Sequence, residues 1–206
     1  MSFRIFKNKT VLITGHTGFK GSWLSMWLTS LGAKVIGVAL EPPSQPSHFE
    51  VARLADILDD NHLDIRNGEA LKEFVFQTQP DFVFHLAAQA LVRESYNDPV
   101  ATYQTNSIGT LNLLEALRPL NKKCTVVLIT SDKCYDNVEW LWGYRETDSL
   151  GGPDPYSASK GVAELIIRSH VKSYFPNDGL VRIAVGRAGN VIGGGDWAQD
   201  RIVPDC

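Results

Sequence analysis

The chain has 206 residues, of which 44% are hydrophobic, 21% charged and 10% aromatic, with 20 basic against 23 acidic residues and a formal net charge of −3. At this size a chain buries roughly 70% of its extended surface; the apolar content excludes intrinsic disorder, and charges sprinkled rather than blocked exclude an electrostatic footprint for nucleic acid or an anionic membrane. No apolar run approaches the roughly 18 residues of a membrane helix, and the start MSFRIFKNKT lacks the apolar stretch of a signal peptide, so a soluble protein of one domain or slightly more is expected.

Short runs rich in β-branched residues recur, each followed by a longer segment with helical spacing, which predicts βαβ units and a doubly wound parallel α/β sheet of the Rossmann type. The first strand, Val11-Leu12-Ile13, ends at Thr14-Gly15. The next segment carries Phe19, Trp23, Leu24, Trp27, Leu28 and Leu31 at three- and four-residue steps, predicting an apolar helix face that stops at Gly32. A second strand is predicted over 35–40, leading into the turn EPPSQP, and a short third-strand region precedes LDIRN. Segments 81–87, 125–131 and 180–186 read as strands buried on both faces, and 69–79, 99–117 and 156–174 as helices. Two connections, 41–61 and 136–155, are long enough to suggest function.

Between the first strand and its helix stands Gly15-His16-Thr17-Gly18-Phe19-Lys20-Gly21. Glycines there let the backbone turn tightly and let a pyrophosphate approach the helix N-terminus, where free N–H groups favour anions. His16 and Lys20 would add positive charge to the turn. With Thr14, the spacing resembles the T-G-x-x-G-x-x-G turn of the extended short-chain dehydrogenase/reductases. At the end of the second strand a carboxylate would bond the ribose hydroxyls of NAD. Ala39 stands where many relatives carry that acid, Glu41 follows, and no arginine appears before Arg53, so NAD is expected over NADP.

Tyr156 and Lys160, four residues apart on one predicted helix, bring their Cβ atoms to about 5–6 Å. The adjacent ammonium and a positive nicotinamide would favour the phenolate; a downward shift of roughly three units, about 4 kcal/mol, makes the tyrosine a usable base for alcohol oxidation. Ser131, Asp132 and Lys133 follow the fifth strand, at the carboxyl end where ligands bind in such sheets.

The segment Ser131-Asp132-Lys133 resembles the nucleotide-sugar 4,6-dehydratases, in the form with lysine at the last position that CDP-glucose enzymes carry. Trp140 to Glu146, continuing to Asp154, and Arg187 to Trp197 are similar to the loops of those enzymes before the tyrosine and after the sixth strand. The resemblance, spanning residues 11–205, implies conversion of CDP-glucose to CDP-4-dehydro-6-deoxyglucose, in deoxysugar and lipopolysaccharide O-antigen biosynthesis. It implies that Asp64 and Ile65 contact adenine, that His85, Leu86, Ala87, Ala88 and Gln89 line the cofactor and substrate crevice, that Asn106 supports the site and that Asn190 reaches the sugar nucleotide. Ser131 would bond the C4 oxygen, with Asp132 and Lys133 managing loss of water. A homodimer is implied as well.

Two alternatives share the turn and the Tyr156/Lys160 pair: another nucleotide-sugar epimerase or reductase, and a noncatalytic NAD-binding module. Residues 1–206 are expected to be an NAD-binding domain with its catalytic loops, holding NAD but closing poorly over the sugar nucleotide, with a substrate-capping domain beyond 206. The five histidines show no metal spacing, so no metal is expected. Cys124, Cys134 and Cys206, odd in number and without redox spacing, point to a reducing compartment, the cytoplasm.

Overall fold

The computed structural model describes residues 3–201 and 205–206. Six strands, β1 (Thr10–Thr14), β2 (Lys34–Ala39), β3 (Asp59–His62), β4 (Phe82–His85), β5 (Cys124–Ser131) and β6 (Val181–Ala188), form one sheet in the order β3-β2-β1-β4-β5-β6. Every neighbouring pair is parallel. The chain winds outward from β1 through β2 and β3, then restarts on the other side with β4, which opens a crevice between the carboxyl ends of β1 and β4.

Helices α1 (Phe19–Ser30), α2 (His48–Val51), α3 (Gly68–Thr78), α4 (Val92–Asn97), α5 (Pro99–Tyr103), α6 (Gly109–Leu117) and α7 (Pro155–Tyr174) connect them. The main core lies between the sheet and α3, α6 and α7, where Leu71, Val75, Leu113, Leu117 and Ile167 meet Leu12, Val83, Val126 and Leu128. A smaller cluster of Val11, Ile13, Leu28 and Val35 lies under α1.

The apolar stripe expected to bury α1 does so in part, through Leu28 and through Leu24 and Leu31, which pack against its cluster. Gly21, Ser22, Ser25 and Leu28 are its buried residues, whereas Trp23 and Trp27 are nearly half exposed. The reason is a close approach: a Cβ on Gly21 would stand 2.0 Å from the Gly15 carbonyl oxygen. Only small side chains fit that crossing, so the indoles splay outward, Trp23 stacking on His48 and Trp27 meeting Phe3 edge-on.

The helix expected as one piece over 99–117 is broken by a π-helical segment, Gln104–Ile108, between α5 and α6. β3 is Asp-Asp-Asn-His, a polar edge strand held by pairing with β2 rather than by an apolar face. β6, expected to be covered on both sides, leaves Arg182, Ala184 and Val185 exposed. The long connection after β2 holds α2 and a turn over Leu54–Asp56, and the one before α7 is irregular.

Candidate active site

A cleft of about 1120 Å³ lies across the carboxyl ends of the strands. Its floor is the glycine turn. Gly15, at φ +79°, donates its N–H to the Val38 carbonyl at 2.8 Å, and a Cβ there would meet the Ala87 backbone at 2.6 Å. Gly18 differs, since a Cβ on it would find only one neighbour within 4 Å, at 3.4 Å, and the residue borders the cleft. It is the N-cap of α1, and no side chain caps that helix end. The first-turn N–H groups thus face a space that an unbranched backbone keeps free, which suits a dinucleotide pyrophosphate.

Gly15, Thr17, Gly18, Phe19, Lys20, Gly21, Glu41, Asp64, Ile65, Leu86, Ala87, Ala88, Gln89, Ser131, Lys133, Tyr156 and Asn190 border the cleft. His16, Asn106, Asp132 and Lys160 do not. His16 turns down beneath the loop, fully buried, with Nε2 2.6 Å from Asp60 Oδ1. Burial lowers its pKa, Asp60 opposing, so it pins the turn instead of adding charge to it. Lys20 lines the cleft, with its pKa lowered first by burial and then by Arg201.

His85, expected at the crevice wall, is buried beneath it at 3% exposure. Thr14 Oγ1 accepts from the Ala87 N–H at 3.3 Å and lies 2.6 Å from His85 Nδ1, while His85 Nε2 lies 3.1 Å from Thr110 Oγ1, which donates to the Asn106 carbonyl at 2.7 Å. The chain closes with Thr14 donating to Nδ1 and a neutral ring donating from Nε2. Burial, and then Lys160, press the His85 pKa down to about 3. Asn106, at the π-helical segment, accepts from the Gln89 N–H at 2.9 Å and donates to the Gln89 carbonyl at 3.0 Å. It also bonds Ser159 Oγ at 2.9 Å, so it ties the loop after β4 to α7 from behind the cleft. The extra π residue turns Asn106 inward, a feature no helical periodicity announces.

The β5 strand ends in a turn over Asp132–Cys134 whose N-cap is Ser131, accepting from the Lys133 N–H at 3.2 Å. Ser131 Oγ donates to Asp132 Oδ1 at 3.0 Å. Lys133 Nζ stands 3.8 Å from that carboxylate and 3.3 Å from Asn190 Oδ1, so a hydroxyl, a carboxylate, an ammonium and an amide share one rim. Across them, Asp154 caps α7, accepting from the Ser157 N–H at 2.9 Å with Pro155 in the first turn, and this aims Tyr156 into the cleft.

Lys160 lies one turn later, 6% exposed, its Nζ 5.9 Å from the centre of the Tyr156 ring. Burial, then Lys20, draw its pKa down to about 8. The chain's own groups supply no net part of the downward shift expected for Tyr156, Lys160 included. Burial raises the phenol, Asp132 and Asp154 add to this, and the Ser131 hydroxyl and Arg201 only partly offset it. Desolvation of the ring outweighs the charges around it.

One more turn along the same face of α7 stands Glu164, buried and absent from the expected site. Both its oxygens accept from Arg187 at 2.9 Å, and Oε1 also accepts from Thr130 Oγ1. Arg187 Nη1 donates to Tyr135 Oη at 2.6 Å, and Tyr135 stacks on Tyr144. This one ion pair joins β5, α7, β6 and the loop after β5. Its partners lie 23 residues apart, and only the pairing of β6 with β5 brings them together.

A sequence profile of the family described as GDP-mannose 4,6 dehydratase matches residues 12–178. The chain belongs to that family. It is 53% identical over 204 residues to the CDP-glucose 4,6-dehydratase of Salmonella typhimurium, a match covering 97% of this chain and 57% of that protein. Among solved structures it resembles an epimerase from Methanothermobacter thermautotrophicus, with TM-score 0.81 and 27% identity over 98% of this chain and 58% of that one. It also resembles the Thermus thermophilus UDP-glucose 4-epimerase complex with NAD, with TM-score 0.76 and 28% identity over 93% and 58% of the two chains. The chain therefore spans little more than half the length of these family relatives.

Proposed function

We propose that this cleft holds NAD and that the protein dehydrates CDP-glucose to CDP-4-dehydro-6-deoxyglucose. The observation that carries the reading is the meeting, on one cleft, of the dinucleotide turn with Tyr156, Ser131 and Lys133, with the Asp132 carboxylate held beside the last two. The relative from Salmonella typhimurium, named for CDP-glucose, supports the choice of substrate. Gly15 to Gly21 would hold the pyrophosphate, Glu41 the ribose, and Asp64 and Ile65 the adenine. Bound NAD would supply a hydride acceptor at C4 and a hydride donor at C6.

The remaining steps belong to the chain. With the positive charge of bound NAD favouring the phenolate, Tyr156 would take the proton of the 4-hydroxyl, Ser131 would donate to the oxygen that becomes the ketone, and Lys160, behind the phenol, would reach the cofactor ribose. The ketone makes the C5 proton acidic. Asp132 and Lys133 divide its removal from protonation of the hydroxyl leaving C6, and Asn190, bonded to Lys133, faces the sugar nucleotide. An epimerase or reductase needs Tyr156 and Lys160 but not the acid/base pair. Asp132→Asn is expected to lower dehydration by at least 10²-fold, the low end for a lost general acid or base, followed as release of water-eliminated product; unchanged turnover would exclude the dehydratase.

Residues 1–206 act, in this proposal, as the NAD-binding domain that carries the catalytic loops. A homodimer is supported by Tyr96, Val100, Tyr103, Ile108, Val162 and Leu165, which stay exposed on α4, α5, the π-helical segment and α7. Among the described residues no helix is long and apolar enough to cross a membrane, and all three cysteines are free, which supports the cytoplasm. A place in deoxysugar synthesis for lipopolysaccharide O-antigen follows from the proposed product.

A further inference from the structure

Below the mouth of the cleft four side chains that the proposed reaction does not use as acids or bases are joined in series. His16 Nε2 lies 2.6 Å from Asp60 Oδ1, Asp60 Oδ2 lies 3.5 Å from His62 Nε2, and His62 Nδ1 lies 3.0 Å from Glu41 Oε1. The strand register explains the meeting. Ala39 pairs with His62 at the ends of β2 and β3, so Glu41, two residues past Ala39, emerges beside the imidazole.

The two ends of the series differ in freedom. The His16 ring is fully buried and fills the space over Gly37, where a Cβ would stand 2.3 Å from it. Asp60, on β3, is 20% exposed and fixed against that ring. The Glu41 side chain is 83% exposed. A glutamate that free gives up rotamer entropy on binding a ligand, and an isolated surface ion pair restrains it little. His62 is not isolated, because Asp60, itself held against His16, stands 3.5 Å from its Nε2 on the side away from Glu41.

We propose that His62 is the positioning residue for Glu41, orienting that carboxylate toward the adenosine ribose hydroxyls of NAD and against a 2′-phosphate. The proposal rests on the reading that NAD occupies this cleft. His62 does not touch the reacting atoms; it lowers the ordering cost of the group that touches the ribose, as preorganisation does generally. Nδ1 is the nitrogen that matters. An asparagine amide nitrogen overlies Nδ1 of a histidine, and a glutamine amide nitrogen overlies Nε2, so the two substitutions separate orientation of Glu41 from general packing.

The test measures dissociation constants for NAD and NADP calorimetrically on the intact protein and on His62→Ala, His62→Gln, His62→Asn, Glu41→Ala and the Glu41→Ala/His62→Ala double variant. Thermal unfolding confirms that each is folded. His62→Ala and His62→Gln are expected to weaken NAD binding three- to tenfold while NADP binding holds or tightens, and His62→Asn to restore NAD binding to within twofold of the wild type. His62→Ala is expected to add nothing once Glu41 is alanine. NAD bound equally by the wild type and all His62 variants, or effects of Glu41→Ala and His62→Ala that multiply, would overturn this proposal alone. A wild-type protein that binds neither nucleotide would overturn the NAD reading and this proposal with it.

Discussion

Lys160 is 6% exposed, and burial holds its pKa near 8, well below the usual lysine value of 10.5. Between those two values the unfolded chain keeps a proton that the folded protein has released, so stability rises with pH across the window. Below it the buried cation opposes folding by on the order of 3 kcal/mol. Lys160→Met is therefore expected to raise the urea midpoint at pH 7, with the gain shrinking by pH 10; an unchanged midpoint at pH 7 would contradict the burial account. His85 is displaced in the same direction, from 6.5 to about 3. Its contribution is complete above 6.5 and is lost as pH falls toward 3, because the unfolded ring binds a proton that the folded ring refuses. His85→Gln should flatten the acid limb of a stability-against-pH curve. The spacing of Tyr156 and Lys160 was legible in the sequence, since a four-residue step is a helical turn. The sign of the Tyr156 shift was not, because it depends on how much water the folded cleft leaves around the phenol.

The elements divide the same way. The alternation of β-branched runs with helical segments reveals β1, β2, β4, β5 and β6, because each buries enough apolar surface to mark itself. β3, expected as a short third-strand region before LDIRN, has no such apolar mark: Asp59 to His62 are polar, and their strand is held by pairing with β2. Reading α1 by periodicity places Leu24, Leu28 and Leu31 inward correctly but also Trp23 and Trp27, which the close approach of Gly21 to Gly15 leaves outside. The union of Glu164 on α7 with Arg187 on β6 is likewise invisible until β6 is placed beside β5. Breaking a buried ion pair by removing one partner typically costs about 3–5 kcal/mol. Arg187→Met, which leaves the Glu164 carboxylate buried without its guanidinium, is expected to fall in that range by chemical denaturation. Replacing both, as Glu164→Gln/Arg187→Met, should recover part of the loss. If the single substitution cost less than about 1 kcal/mol, within the range of an exposed pair, the network would not be fastening these elements.

At the scale of the molecule, the sheet order sets the chemistry. The outward winding from β1 on both sides makes the crevice, and the strand ends deliver to it the glycine turn from β1, Glu41 from β2, the small residues Ala87 and Ala88 from β4, the Ser131 turn from β5 and Asn190 from β6. No single delivery specifies dehydration; in the proposed function it is the combination of the acid/base pair Tyr156 and Lys160 beside the dinucleotide turn with Asp132 and Lys133 that would do so. An internal oxidation and reduction predicts that the hydrogen removed from C4 reappears on the same sugar. The most direct measurement is to give the protein NAD and C4-deuterated CDP-glucose and to locate the label in the product by NMR and mass spectrometry. The account predicts deuterium at C6 of CDP-4-dehydro-6-deoxyglucose; deuterium retained at C4, or lost to water, would contradict it.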